Sequence, residues 1–385
     1  MPIENGGGFV RAGLEAAQAA FEANFVEGKE LGASFCATIE GETVVDLWGG
    51  WADPEKTRPW TRDTIACVYS TTKTMTALAA LLLADRGELD FAAPVARYWP
   101  EFAKAGKDAL PVRFLLSHRA GLCGFREPVG LEDLADWQRV VGLLAGMEPW
   151  WEPGTLSGYH ALTYGYLVGE VVHRITGQTI GEFVANEIAR PLGADFYIGL
   201  DTPGIARSAV MSMDDPGDQS DVAAMFATLD PAAVAALTNP SMAAPDAADI
   251  ANQEGWKRAE IPAANGHATA LGLATIFSEL VLGRLLSAGG IDRLREGQGR
   301  GVDLVLAPGM AGAEMEFALG VVLSGPERRY GPNPRAFGHD GYGGSFVLAD
   351  PEKGIAMAYV MNHMGLVLAG DPRKTALVDA VYAAL

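Results

Sequence analysis

Apolar and polar residues follow two rhythms along this chain, and the places where the rhythm changes outline an architecture. Residues 9–26 (FVRAGLEAAQAAFEANFV) carry apolar side chains at helical spacing. SFCATIEGETVVDLWGG, residues 34–50, then reads as two short strands around Glu40-Gly41-Glu42, a hairpin. From about Thr71 to Gly255 helical segments dominate, broken by Pro and Gly. ALTYGYLVGEVVHRITG predicts a helix ended by Gly177, and IGEFVANEIARPLG one stopped by Pro191 and Gly193. Residues 200–262 are acidic, loop-rich and the least legible part. After the helical run HATALGLATIFSELVLG the strand rhythm returns in EFALGVVLSG, AFGHDGYGGSFVLADP and GIAMAYVMNHM, and PRKTALVDAVYAAL closes the chain as a helix.

Strands at both ends around a helical middle predict an α/β class. The expected division is one α/β lobe from residues 1–70 and 265–385 and a mostly helical lobe at 71–264, with the active site in the cleft between them. Length and composition allow this: 385 residues bury a large core, and 49% apolar with 20% charged residues is ordinary for a globular protein. The formal net charge of −19 repels phosphate backbones and anionic membrane surfaces, so neither nucleic acid nor membrane is an expected partner. No apolar run is long enough to span a bilayer, and MPIENGGGFVRAG lacks the pattern of a secretory signal. Three widely spaced cysteines, Cys36, Cys67 and Cys123, suit a reducing compartment. Cytoplasmic residence is therefore expected, although a chain shorn of its leader would read the same.

Chemistry enters with CVYSTTKTMTALAALLLADRG, residues 67–87. Ser70 and Lys73 form the only Ser-x-x-Lys pair in the chain, and positions i and i+3 share a helix face. A serine hydroxyl is a weak nucleophile until a base takes its proton. A lysine buried against Leu78, Leu81 and Leu82 should lose its charge and become such a base. A core helix capped by Ser70, with Lys73 reaching to solvent, accounts for the same letters.

Two further stretches are candidates to meet this pair. In PWWEPGTLSGYH, residues 149–160, Tyr159 stands just before a helix, where its hydroxyl can point into a cleft. Near a lysine its phenolate is favoured, so it can pass protons; a packing tyrosine is the plainer reading. His160 reads as structural. In FGHDGYGGS, residues 337–345, four glycines between 338 and 344 let backbone approach a ligand closely. A bulged strand start explains the glycines equally well. Read functionally, the amides of Tyr342 and Ser70 together would hold an oxyanion. There is no Gly-x-Ser-x-Gly elbow and no His-Glu-x-x-His, and six scattered histidines give no reason to expect a metal.

STTK, PGTLSGYHALTYGYLVGEVVHRITG and GHDGYGGSFVLADP, in this order, resemble the serine β-lactamase and penicillin-binding-protein superfamily. Within it the likeness is greatest to the class C-like family VIII carboxylesterases, and it spans nearly the whole chain. The resemblance implies an antiparallel sheet flanked by helices with an inserted, mostly helical lobe. It implies acylation of Ser70, proton transfer by Lys73 and Tyr159, and a strand motif at His339-Asp340-Gly341. Two departures bear on substrate. Ala161 stands where β-lactamases of this type carry an asparagine, and His-Asp-Gly replaces Lys-Thr-Gly. A mostly neutral His339 and an anionic Asp340 disfavour an anionic substrate and favour a neutral ester.

The expected activity is hydrolysis of short-chain carboxylic esters through an acyl-enzyme, without cofactor, with Phe125, Trp150 and Trp151 among the substrate-binding residues. β-Lactamase, D-amino-acid peptidase, amide hydrolase, lactonase or acyltransferase chemistry on the same scaffold stays open, as does a non-catalytic binding module. Oligomeric state is not written in the sequence.

Overall fold

The computed structural model describes residues 3–215, 217, 226–241, 246–310, 312–367 and 370–385. Among these, seven strands form one antiparallel sheet in the order Gly7–Val10, Glu42–Gly50, Gly32–Ile39, Ile355–Met361, Phe346–Asp350, Phe337–Asp340 and Val322–Leu323. The sheet thus draws on both ends of the sequence. Its predicted hairpin is present: Glu40 (φ 51°) and Gly41 (φ 85°) make a two-residue turn, both in the left-handed region that such a turn requires.

IAMAYVM is apolar throughout because both faces of its strand are covered. Tyr359 meets Phe21 of the helix Glu15–Val26, ring to ring at 6.4 Å, and that helix packs on the terminal helix Pro372–Tyr382. The alternate positions face the helix Ala270–Val281, whose Phe277 lies 6.4 Å from Phe337, a residue in register with Ala349 and so with Ala356.

Two readings of the sequence need correction. The run from residue 9 is not one helix: Gly7–Val10 is an edge strand paired with Glu42–Gly50, and the helix begins only at Glu15, after Gly13 turns the chain at φ 93°. Local helical spacing yielded there to sheet pairing. The loop-rich segment 200–262 contains helices at Thr202–Arg207, Pro231–Thr238, Asp246–Asn252 and Glu254–Arg258. Asp201 and Asp230 cap two of them, so part of the acidity is capping. Residues 216, 218–225 and 242–245 of that segment lie outside the described residues.

Between the strands of the large sheet run the helices Thr72–Asp85 and Thr163–Thr176, packed on each other, the second ended by Gly177 at φ 73°. A small sheet of Ala66–Cys67, His267–Ala268 and Phe196–Tyr197 fixes the approach to the first helix. No helix of the described residues is long and apolar enough to cross a membrane. Cys36, Cys67 and Cys123 are free and buried, and burial pushes the Cys67 thiol up to about 11, which leaves it inert.

Candidate active site

Ser70 lies on a single 3-10 turn, Tyr69–Thr71, that leads directly into Thr72–Asp85. The turn opens with Tyr69 at φ 43°, a left-handed conformation costly for an aromatic residue and found where surrounding structure enforces it. Ser70 makes no side-chain cap, and Lys73 is wholly buried rather than reaching solvent. Lys73 Nζ sits 3.3 Å from Ser70 Oγ, 2.8 Å from the carbonyl oxygen of Ala161 and 2.9 Å from that of Ala263. Burial holds this amine well below the ordinary lysine range. A neutral amine has two N–H groups, which match the two carbonyls, and one lone pair, which is left for the serine proton.

Tyr159 closes the other side. Its ring centre is 4.6 Å from Lys73 Nζ, and it lines the same cavity as Ser70. The phenolate expected beside a lysine is not the resting form. Burial raises the Tyr159 phenol far above its ordinary value, against the lowering influence of Ser70. With the lysine itself neutral, no cation stabilises a phenolate, and the phenol keeps its proton.

The tyrosine is held from behind by Asp303, a buried carboxylate that the motifs do not signal. Asp303 Oδ1 accepts the backbone N–H of Tyr159, Val305 and Leu306, each at 3.0 Å, and Oδ2 accepts Ser157 Oγ–H at 2.9 Å. His118 packs 4.7 Å from the Tyr159 ring, and its Nδ1 accepts the His160 amide at 3.0 Å. His160 in turn accepts the Leu122 amide at Nε2, and burial lowers its pKa to about 3. His160 is a strut.

The glycine-rich strand end is fastened to the serine turn. Ser345 Oγ donates to the Val68 carbonyl at 2.9 Å and lies 3.2 Å from Thr71 Oγ1. A Cβ on Gly341 would overlap Ser345 Oγ and the Val68 carbonyl oxygen, so only glycine fits there. This close approach sets Tyr342 beside Ser70, its ring edge-on to Tyr69 at 5.9 Å. His339 Nδ1 lies 2.8 Å from the Asp340 carbonyl oxygen and therefore carries the proton; Nε2 is a buried lone pair with no partner. Burial lowers the pKa of His339 to about 4, so the ring is neutral.

Asp340 does not act as the bare negative charge expected of it. Strand alternation turns it to the opposite face from His339, where it accepts from the buried Lys374 Nζ. Tyr330 Oη donates to its second oxygen at 3.4 Å, and Arg329 stands 3.8 Å away. The argument against anionic substrates falls with that correction.

One cavity of about 80 Å³ joins these groups, lined by Ser70, Tyr159, His339, Asp340, Gly341 and Tyr342 together with Arg329, Tyr330 and an apolar rim. Phe125, Trp150 and Trp151 are not among its lining. Phe125 is core, Trp150 donates to the Gly124 carbonyl under the Arg126 guanidinium, and Trp151 packs edge-on to His160. The aromatic letters mark how the Tyr159 loop is built. No group of three or more metal-ligating side chains converges among the described residues.

The family model described as Beta-lactamase matches residues 17–381. Esterase/beta-lactamase LipL of Mycobacterium tuberculosis is 35% identical over 358 residues, 90% of this chain and 80% of that protein. The crystal structure of a family VIII carboxylesterase superposes with a TM-score of 0.91 at 42% identity, covering 99% of this chain and all of that one. A penicillin-binding protein homologue from Caulobacter crescentus is similar too, with a TM-score of 0.89 at 40% identity over 99% of this chain and 100% of its own.

Proposed function

From the premise that this chain belongs to the Beta-lactamase family and is a serine hydrolase, we propose that it is a carboxylesterase acting on short-chain esters through an acyl-enzyme on Ser70. The observation that carries the reading is the environment of Lys73: fully buried, satisfied by two carbonyls, and 3.3 Å from Ser70 Oγ. Such an amine is a base at neutral pH.

In the first step Ser70 Oγ attacks the ester carbonyl carbon as its proton passes to Lys73 Nζ. The backbone amides of Ser70 and Tyr342 receive the developing oxyanion. Tyr159, a phenol at rest, gives its proton to the departing alkoxide and is reprotonated from Lys73. Water then attacks the acyl-enzyme, its proton taken by the same relay, and the acid leaves Ser70. Ester and water are consumed; acid and alcohol are released.

Two similar proteins carry esterase or carboxylesterase in their names. Ala161 and His339, in place of an asparagine and a lysine, remove two of the groups that grip a β-lactam in related enzymes. The small cavity suits a short acyl group. A β-lactamase side activity has one observation in its favour, the double name of the mycobacterial relative.

Intact-protein mass spectrometry after brief incubation with a short p-nitrophenyl ester, a lactone or nitrocefin tests both readings. An acyl adduct on Ser70 from the ester, absent in Ser70→Ala, is expected. Undiminished ester turnover by Ser70→Ala would remove Ser70 from the nucleophile's role, and preferred acylation by nitrocefin would promote the β-lactamase reading.

A further inference from the structure

The cavity that holds Ser70 also holds a guanidinium whose side-chain N–H groups make no hydrogen bond among the described residues. Arg329 lines the cavity, and its side chain is only 12% exposed. Two carboxylates lie within its field, Asp340 and Glu327, and the hydrogen bonds of both go elsewhere. Asp340 accepts from Lys374, leaving Arg329 3.8 Å from its far oxygen, beyond hydrogen-bond reach. Glu327 accepts from Arg300, outside the cavity lining. His339 is neutral, and its spare nitrogen is an acceptor. Glu314 shares Arg300 with Glu327, so the cluster as a whole carries no surplus charge. What sets Arg329 apart is that its side-chain donors are unengaged while Lys374 is held by Asp340.

The arginine is also aimed by a rigid support. Ser324, buried, accepts the Tyr330 N–H at Oγ, 3.1 Å, and donates to the Gly331 carbonyl at 3.0 Å, while the Arg329 N–H bonds the Ser324 carbonyl at 3.2 Å. These bonds fix the turn from which the side chain enters. A guanidinium so placed offers a planar fork of donors, the geometry that a carboxylate fills with two hydrogen bonds. One fork in so small a cavity matches a monoanion of carboxylate shape rather than a phosphoryl dianion.

We propose that the substrates of this enzyme are esters that themselves carry a carboxylate, and that Arg329 is the residue that receives it. The proposal rests on the esterase reading above and names its substrate class. The carboxylate belongs either to the acyl half, as in a monoester of a short dicarboxylic acid, or to the alcohol half, as in an acyloxybenzoate.

Matched pairs separate these sources: monomethyl glutarate against methyl pentanoate, and 4-butyryloxybenzoate against phenyl butyrate, followed by pH-stat. The expected result is a kcat/KM at least about tenfold higher for the charged member of one pair, lost in Arg329→Gln and partly restored in Arg329→Lys. A structural role alone would lower both members of a pair alike, leaving their ratio intact. An unchanged ratio, or no preference in the wild type, overturns the proposal. If neither member of either pair is hydrolysed, the esterase reading has failed, and the subsite is judged by affinity. Glutarate binding to Ser70→Ala protein, measured by calorimetry, must then weaken at least about tenfold when Arg329→Gln is added. Equal affinity with and without the arginine overturns it.

Discussion

Two buried lysines lie behind residues that line the cavity, Lys73 behind Ser70 and Lys374 behind Asp340, and their partners make them different chemical objects. Lys73, on the helix side, has two carbonyls, a serine hydroxyl and no carboxylate, so desolvation acts on it unopposed and its pKa falls well below the ordinary range. Lys374, on the sheet side, is desolvated too and its pKa is also lowered, but the Asp340 charge pulls in the other direction and offsets part of the drop. Burial alone does not leave a lysine unprotonated with a lone pair free to take a proton. Burial without a counter-charge does. The first side offers an amine suited to the proposed proton transfer, and the second holds an ion pair.

The deepest break in this contrast is Lys73→Ala, which removes the base. It is expected to lower kcat by about four orders of magnitude with the fold intact by circular dichroism. A loss below about a hundredfold means that another base serves Ser70. Asp340→Asn tests the sheet side by making Lys374 resemble Lys73. It strips a buried ammonium of its partner, and a loss of about 2–3 kcal/mol in urea unfolding is expected, smaller than for a fully buried pair because Asp340 is partly exposed. Unchanged stability would mean that solvent already screens the pair.

The smallest effect is in pH dependence. Lys73 must be neutral to act, so activity falls as pH drops through its depressed pKa, and kcat plotted against pH has an acid limb. In stability the sign is opposite to that of a salt-bridged lysine. Between the depressed native pKa and the unfolded value near 10.4, the unfolded chain holds the extra proton, so native stability rises with pH across that window. Urea midpoints of the wild type and Lys73→Ala, compared from neutral to alkaline pH, should show this rise in the wild type alone. Parallel curves would place the charge on Lys73 in the native state.

The candidate reacting groups were legible in the sequence because the proposed chemistry demands fixed spacing. Ser70 and Lys73 are one helical turn apart, and Gly341 is a glycine because Val68 and Ser345 leave no room for more. Tyr159 was legible in its place but not in its protonation, since burial is a property of the folded surroundings. Phe125, Trp150 and Trp151 were misassigned because aromatic letters near a motif do not say whether they face ligand or loop. Asp303 and Arg329 left no trace, each a single letter in a loop whose partners lie more than a hundred residues away in the first case and across a turn in the second. The edge strand Gly7–Val10 escaped because its partner, Glu42–Gly50, is remote in sequence.

Asp303 has a bearing on how the specificity of this enzyme can be altered. One carboxylate fastens both the loop that carries the phenol and the Leu306 stretch of the rim. Under the proposed relay, enlarging the mouth on that side is expected to move Tyr159 as well, so a broader acyl range there would cost turnover. Met315 and Val322 line the same hollow through side chains that merely fill space. Redesign for bulkier acids therefore belongs at those two positions, where shape changes without disturbing the relay.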